Sequence, residues 1–246
     1  MILYVYAIGR AGHPVPDDLE AVDGGGLTAF FSPVDEVEFS QPVIDARSGD
    51  VEWLGRIGYR HQSAMAELMR GGTIIPLRAF TLFKTHASLE HHLEENREQF
   101  AKILERVDGK QEWTLRIEFD PERWRDALSK RVASLAELEK EIDGANPGKA
   151  FLLRKKLDEE RKKASREAEQ QVASEIEQTV LDKLRSEVVA ESRERRDGAF
   201  PQINVLLPRD EEARLQELHD DLAGRYDAEG VTLALTGPWP PYTFAR

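Results

Sequence analysis

At 246 residues, with 40% hydrophobic and 33% charged side chains, the chain can bury a sizeable core and suits two domains rather than a disordered polymer. A net charge of −12 argues against nonspecific nucleic-acid binding, which needs clustered cations. The absence of cysteine removes disulfides, thiolate zinc sites and cysteine nucleophiles, and fits a reducing cytoplasm.

The charge is unevenly spread. Between Asp17 and Glu52 ten acidic residues face one basic residue, Arg47, whereas between Pro147 and Arg196 thirteen basic residues meet eleven acidic ones. The acidic stretch reads as a solubilising surface. No basic n-region precedes a long apolar core, so no signal peptide is expected, and no window approaches the roughly 18 apolar residues of a membrane span. Neither a lipid membrane nor nucleic acid is an expected partner.

Ile2 to Ile8 is apolar throughout and β-rich, a central strand buried on both faces. Gly9 to Pro16 is a loop, and Gly24-Gly25-Gly26 turns into a second strand from Leu27 to Val34. That glycine run lacks a following Lys-Ser/Thr, so it is not a phosphate loop. Asp50 caps a helix through Gly71, with Leu54, Ile57, Ala64, Met65, Leu68 and Met69 at helical spacing. Thr73 to Phe83 reads as one strand, and Pro76 within it marks an edge or a bulge. Arg78 lies in this apolar run, so a carboxylate or carbonyl partner and a structural role are expected for it. Ser88 caps a helix to Val107.

From Glu112 to Phe119 the alternation is clean, with Trp113, Leu115, Ile117 and Phe119 on a buried face and Glu112 on a wet one. Pro121 opens a helical region that runs to Arg196. Trp124, Leu128, Val132, Leu135, Leu138 and Ile142 form a first seam, and Gly144 to Gly148 breaks it. A second helix follows to about Glu194, on the order of 70 Å long if unbroken. Its outer face offers i,i+4 pairs such as Lys155/Glu159 and Lys156/Glu160. The short break implies an antiparallel hairpin. The overhanging half of the long helix packs either on the domain body or on a partner.

Asp197-Gly198 reads as the turn that ends the helix, followed by a strand from Phe200 to Leu207 and a helix that Asp210 caps, through about Tyr226. Val231, Leu233 and Leu235 then alternate as a closing strand. Gly237 permits a bend, and Pro238, Pro240 and Pro241 stiffen the backbone around Trp239 and Tyr242. A terminal segment is ordinarily loose. This one ends in large rings, and so docks either on its own domain or on a partner. As a structural clasp, Trp239 and Tyr242 cover the end of a sheet. Strands with one wet face, alternating with helices, give an α+β class.

Chemistry is poorly signposted. The six histidines form no H-x-x-x-H or H-E-x-x-H arrangement, and no serine lies in G-x-S-x-G. No catalytic residue, metal ligand or cofactor is assigned. A ligand-binding or enzymatic reading would place a polar pocket around Arg78 and His61.

Four blocks occur in an order that resembles one family: Met1 to Ile8, Thr73 to Phe83, Val107 to Ile117, and Leu235 to Phe244. Together they are similar to the gas vesicle protein F/L family (GvpF/GvpL). The most specific block is Gly237-Pro238-Trp239-Pro240-Pro241-Tyr242, with Phe244 two residues on. After Arg78 the family pattern commonly has an aromatic and a glycine, where this chain has Ala79 and Phe80.

The resemblance implies an N-terminal ferredoxin-like α/β domain over 1–108. It also implies a C-terminal α+β domain over 109–246, with a hairpin at about 121–196 and a strand and Pro/Trp clasp at 231–246. It implies a non-catalytic, cytoplasmic accessory or minor structural protein of gas vesicle formation. Such a protein associates with the vesicle and binds its hydrophobic shell protein and other gas vesicle proteins. On this reading Arg78, Trp113 and the 237–244 block are structural or interaction residues.

Overall fold

The computed structural model describes residues 1–195 and 198–245. Its chain divides into two units, Met1–Glu112 with Pro238–Arg246, and Trp113–Gly237. The tail therefore belongs to the first unit, whereas the sequence places all of 109–246 in the second domain.

In the first unit, β1 (Ile2–Arg10) is buried from Ile2 to Gly9. It pairs antiparallel with β3 (Leu27–Val34) on one side, and β2 (Glu20–Gly24) extends the sheet beyond β3. On its other side lie β4 (Ile74–Pro76) and β5 (Leu82–Phe83). The order β2-β3-β1-β4 is that of a ferredoxin-like sheet, with a loop where the first crossover helix would stand. Alternation along β1 serves two cores, and a register shift between Val5 and Ala7 places the consecutive Tyr6 and Ala7 in the same one. Tyr4, Tyr6 and Ala7 pack with Ala64, Met65 and Leu68 of α2 (Val51–Gly71), beyond the short surface helix α1 (Gln41–Ala46). Leu3, Val5 and Ile8 pack with Leu89 and Leu93 of α3 (His86–Glu95) and Leu104 of α4 (Arg97–Val107). With helices on both faces, an all-apolar strand is what the sheet requires.

Asp50 caps α2 by accepting from Trp53 N–H. Two expectations need correcting. The Thr73–Phe83 strand is interrupted: β4 and β5 both follow β1, but residues 78–80 leave the ladder, and Phe80 takes a positive φ of 65°. The helix ending at Val107 is two helices meeting at Asn96. Its cap is Thr85, which forms a capping box with Ser88 as the third helical residue.

The second sheet has the order β7-β8-β6-β9, from β6 (Lys110–Phe119), β7 (Glu187–Arg195), β8 (Gly198–Pro208) and β9 (Val231–Trp239). With helices after β6 and after β8, this unit completes the β-α-β-β-α-β sequence of ferredoxin-like folds. The first connection is the helical hairpin. One arm comprises α5 (Pro121–Arg131) and α6 (Ala133–Asp143), broken at Val132 where the spacing predicts a single helix; the other is the 37-residue α7 (Pro147–Lys183). The predicted seam survives the break, since Trp124, Leu128, Leu135 and Leu138 are all buried.

The long helix stops earlier than expected. Leu184 is extended, and Glu187–Arg195 is a strand paired with β8 from Glu187↔Leu206 to Arg195↔Gly198. Glu, Arg and Ala in this stretch favour a helix by propensity, but pairing with β8 overrides it. Arg196 and Asp197, expected to end the helix and begin the turn after it, lie outside the described residues. The far half of α7 packs on the body of its own unit, with Val172, Ile176 and Val180 fully buried alongside Ile203, Val205 and Leu207. Helix α8 (Glu212–Asp227) follows a 3-10 turn and has no side-chain cap; Asp210 instead pairs with Arg185 at 2.8 Å.

Candidate functional site

The 237–244 block is positioned by what lies beneath it in the first unit. Gly237, at φ 145°, is the last small residue before the stiff segment. Pro240 and Pro241 are buried, and the chain turns tightly there: Tyr242 N–H donates to Pro240 O at 2.7 Å and Ala245 N–H to Pro241 O at 2.8 Å. The proline nitrogens carry no hydrogen to donate, so the carbonyls of the two prolines do the closing.

Three anchors hold the turn. Tyr242 OH lies 2.9 Å from His61 Nε2, and His61 Nδ1 lies 3.1 Å from Tyr4 OH. Phe80 N–H donates to the same Tyr4 oxygen, so Tyr4, His61 and Tyr242 form one continuous hydrogen-bonded chain whose proton directions follow the His61 tautomer. The second anchor is Glu112, a buried carboxylate that accepts from Thr243 N–H at 2.9 Å and Thr243 Oγ1 at 2.7 Å. The third is Arg106, which donates to Phe244 O at 3.2 Å while its guanidinium sits 5.7 Å from the Phe244 ring centroid. Phe244 itself is buried.

An aromatic cluster supports the first anchor. Tyr4 and Tyr6 ring centroids are 5.0 Å apart, and Trp53 stacks on Phe80 at 5.6 Å. The positive φ of Phe80 turns its ring into this cluster, the physical reason for the interruption between β4 and β5.

Burial pushes Tyr4 and Tyr242 each up to about 12 and pulls His61 below its ordinary 6.5. A backbone hydrogen bond from Phe80 partly offsets the Tyr4 shift. The folded state therefore binds fewer protons at His61 than the unfolded state does, so stability is full above about pH 6.5 and declines as pH falls toward the depressed value. At the tyrosines the folded state keeps its protons longer, and stability declines as pH rises from about 10 to about 12. Melting temperature against pH is expected to show a plateau between these limits, and His61→Gln is expected to flatten its acid side.

The sequence-assigned residues fall into different environments. Tyr242 and Phe244 dock, with Pro240 and Pro241 beneath them, whereas Pro238 and Trp239 are exposed, Trp239 at 41%. The expectation that Trp239 caps apolar surface is corrected: the two prolines and Phe244 occupy that place. Trp239→Ala is accordingly expected to lower stability by only about 1 kcal/mol, read as a small shift in urea midpoint. Trp113 is a core residue of the second unit, with no hydrogen-bond partner at Nε1 among the described residues. Arg78 is exposed, so its charge stays in solvent and the partner expected for a buried guanidinium is not needed. Its carbonyl instead accepts from Thr81 N–H and Thr81 Oγ1.

His61 is buried with each ring nitrogen against a tyrosine hydroxyl, whereas Arg78 is exposed. A surface cleft of about 870 Å³ lies elsewhere in this unit, lined by Arg10, Gly25, Arg97, Glu105 and Asp108, with Arg10 paired to Asp108 at 3.2 Å. Among the described residues no group of three or more His, Asp or Glu is placed to hold a metal ion.

Sequence reasoning does not find the anchoring roles of Glu112, His61 and Arg106. For His61 a signal exists, since it stands three, four and seven residues before Ala64, Met65 and Leu68 on the same helical face. Glu112 follows the wet-face alternation and gives no local sign that a distant Thr243 will bury it.

Two serial α+β units, with a C-terminal Pro/aromatic latch closing the first, define the class of protein. The same fold occurs in crystal structures of the gas vesicle protein GvpF from Anabaena sp. PCC7120 (TM-score 0.70, 16% identity, 100% of this chain and 98% of that one) and from Microcystis aeruginosa (TM-score 0.64, 16% identity, 100% and 99%). The family model "Gas vesicle synthesis protein GvpL/GvpF" matches residues 2–246, and the chain belongs to that family. Relatives include gas vesicle protein L of Streptomyces sp. (strain CB03234), 27% identical over 98% of this chain and 92% of its own length. Gas vesicle protein L2 of Halobacterium salinarum is 30% identical over 82% of this chain and 75% of its own length.

Proposed function

We propose that this protein is a non-catalytic accessory or minor structural component of gas vesicle assembly. In this role it binds the hydrophobic shell protein and other gas vesicle proteins during nucleation or growth, working in the cytoplasm at the vesicle itself. The observation that carries the reading is the family match over residues 2–246, which takes in both units and the latch.

The physical rationale is protection. A shell subunit with a gas-facing apolar surface aggregates unless that surface is covered before assembly. A partner with net charge −12 keeps such a complex dispersed. None of the described helices is long and apolar enough to cross a membrane.

Deletion of the gene in a vesicle-producing host, scored by electron microscopy, tests the role. Loss or malformation of vesicles, restored by the wild-type gene, is expected. Normal vesicle number and shape in the deletion strain contradicts it.

A further inference from the structure

We infer that the tip of the helical hairpin is a docking surface for a second copy of this chain, and that it seats on the acidic segment 35–52 of that copy. The tip is the start of α7. Ala150 and Leu157 face the hairpin interior, and the opposite side presents Phe151 and Leu152 at 69% and 67% exposure. One turn further on, at i+4 from each, stand Lys155 and Lys156. From Gly144 to Leu157 there are four cations and no carboxylate.

The i,i+4 partners that the sequence offers these lysines are not engaged. Among the described residues neither Lys155/Glu159 nor Lys156/Glu160 closes as an ion pair, and the neighbouring Glu139 and Asp158 pair with Arg161. The result is an apolar pair bordered by positive charge that these carboxylates leave open. Two large apolar side chains exposed to water on an otherwise charged helix gain free energy when covered.

The complementary surface is in the first unit. Segment 35–52 carries six carboxylates and one cation, Arg47. It also exposes Val37 at 73% and Val51 at 83%, while Val43 and Ile44 of α1 are half-covered, and no residue of α1 is buried. The segment is braced rather than loose: Glu38 accepts from Trp53 Nε1 at 3.1 Å and faces Arg47 at 3.8 Å, and Asp35 caps its own turn through Val37 N–H and Glu38 N–H. Glu36, 3.9 Å from the Met1 amino group, and Glu52 are exposed at the rim. Each chain thus carries a basic apolar tip and an acidic apolar seat. The contact either closes reciprocally as an isologous two-fold dimer or runs head to tail, as a heterologous contact that propagates. It is small, so association is weak and strongly salt-dependent.

This inference does not depend on shell-protein binding and is tested on the purified full-length chain alone by sedimentation velocity. Self-association is expected at low ionic strength, weakening as salt rises. Phe151→Ser/Leu152→Ser and Lys155→Glu/Lys156→Glu are each expected to weaken it by roughly tenfold or more, with unchanged circular dichroism because the side chains are exposed. Glu36→Lys/Glu52→Lys is expected to do the same. An equimolar mixture of the Lys155→Glu/Lys156→Glu and Glu36→Lys/Glu52→Lys chains restores the opposite-charge match and is expected to associate again. A wild-type chain that stays monomeric in low salt overturns the inference, even if the tip variants then lose binding to another vesicle protein. So does self-association untouched by the tip substitutions, or a charge-swapped mixture that stays monomeric.

Discussion

Phe244→Ala is expected to destabilise the first unit by about 3–5 kcal/mol, the range for removing a fully buried aromatic ring. Phe244 is 1% exposed, its ring lies under the Arg106 guanidinium, and its carbonyl accepts from the same arginine. Truncation to alanine opens a cavity and removes the cation–π contact while the backbone hydrogen bond survives. The loss is expected in the first unit because the tail belongs there, although the residues just before it are part of the second sheet. Amide exchange read residue by residue separates the cases. Protection is expected to fall in β1, β4 and α4, while Val172, Ile176 and Val205 in the core of the second unit keep theirs. Equal loss in both units contradicts the assignment of the tail.

Gly230→Ala is the second large effect, at roughly 2–5 kcal/mol in the second unit, the sum of a conformational and a steric cost. Gly230 has φ +78°, and an added Cβ would lie 2.4 Å from Arg123 Cβ and 3.1 Å from Trp124 N. Neither is the far end of a flexible side chain, so α5 or the turn must move. The turn cannot move freely, because Gly230 O accepts from Asp120 N–H at 2.8 Å and Asp120 caps α5 through Glu122 N–H and Arg123 N–H. The left-handed conformation alone costs about 1–2 kcal/mol, and overpacking adds about 1–3 kcal/mol. Gly26→Ala separates the two terms. Gly26 has φ +81° but nothing within 4 Å of the added Cβ, so it is expected to show the conformational part only. Equal urea midpoint shifts at the two positions would remove the steric argument.

Much of the secondary structure was legible where one physical signal dominated. The uniform apolarity of Ile2–Ile8 announced a strand covered on both faces, and Asp50 announced the start of α2. The seam through Trp124, Leu128, Leu135 and Leu138 announced a helical arm. Failures came where local and tertiary signals competed. Glu187–Arg195 has helix-favouring composition, and only the neighbouring β8 makes it a strand. The departure of residues 78–80 from the ladder is imposed by a ring cluster assembled from Tyr4, Phe39 and Trp53, residues far apart in sequence.

The latch was half legible. Its proline and aromatic content marked it as a docked segment, but its composition could not rank the rings. Trp239, the largest, is the exposed one, and Phe244 carries the burial. The anchors His61, Arg106 and Glu112 lie 181, 138 and 131 residues from their partners, separations over which a single sequence carries no pairing signal.

The proposed role rests on one physical act, covering the apolar surface of the shell protein before it assembles. The direct measurement is light scattering of the purified shell protein diluted from denaturant, with and without stoichiometric amounts of this chain. Suppressed scattering, with both proteins eluting together in a soluble complex, is the expected result. Undiminished precipitation of the shell protein, with this chain left alone in solution, contradicts the account.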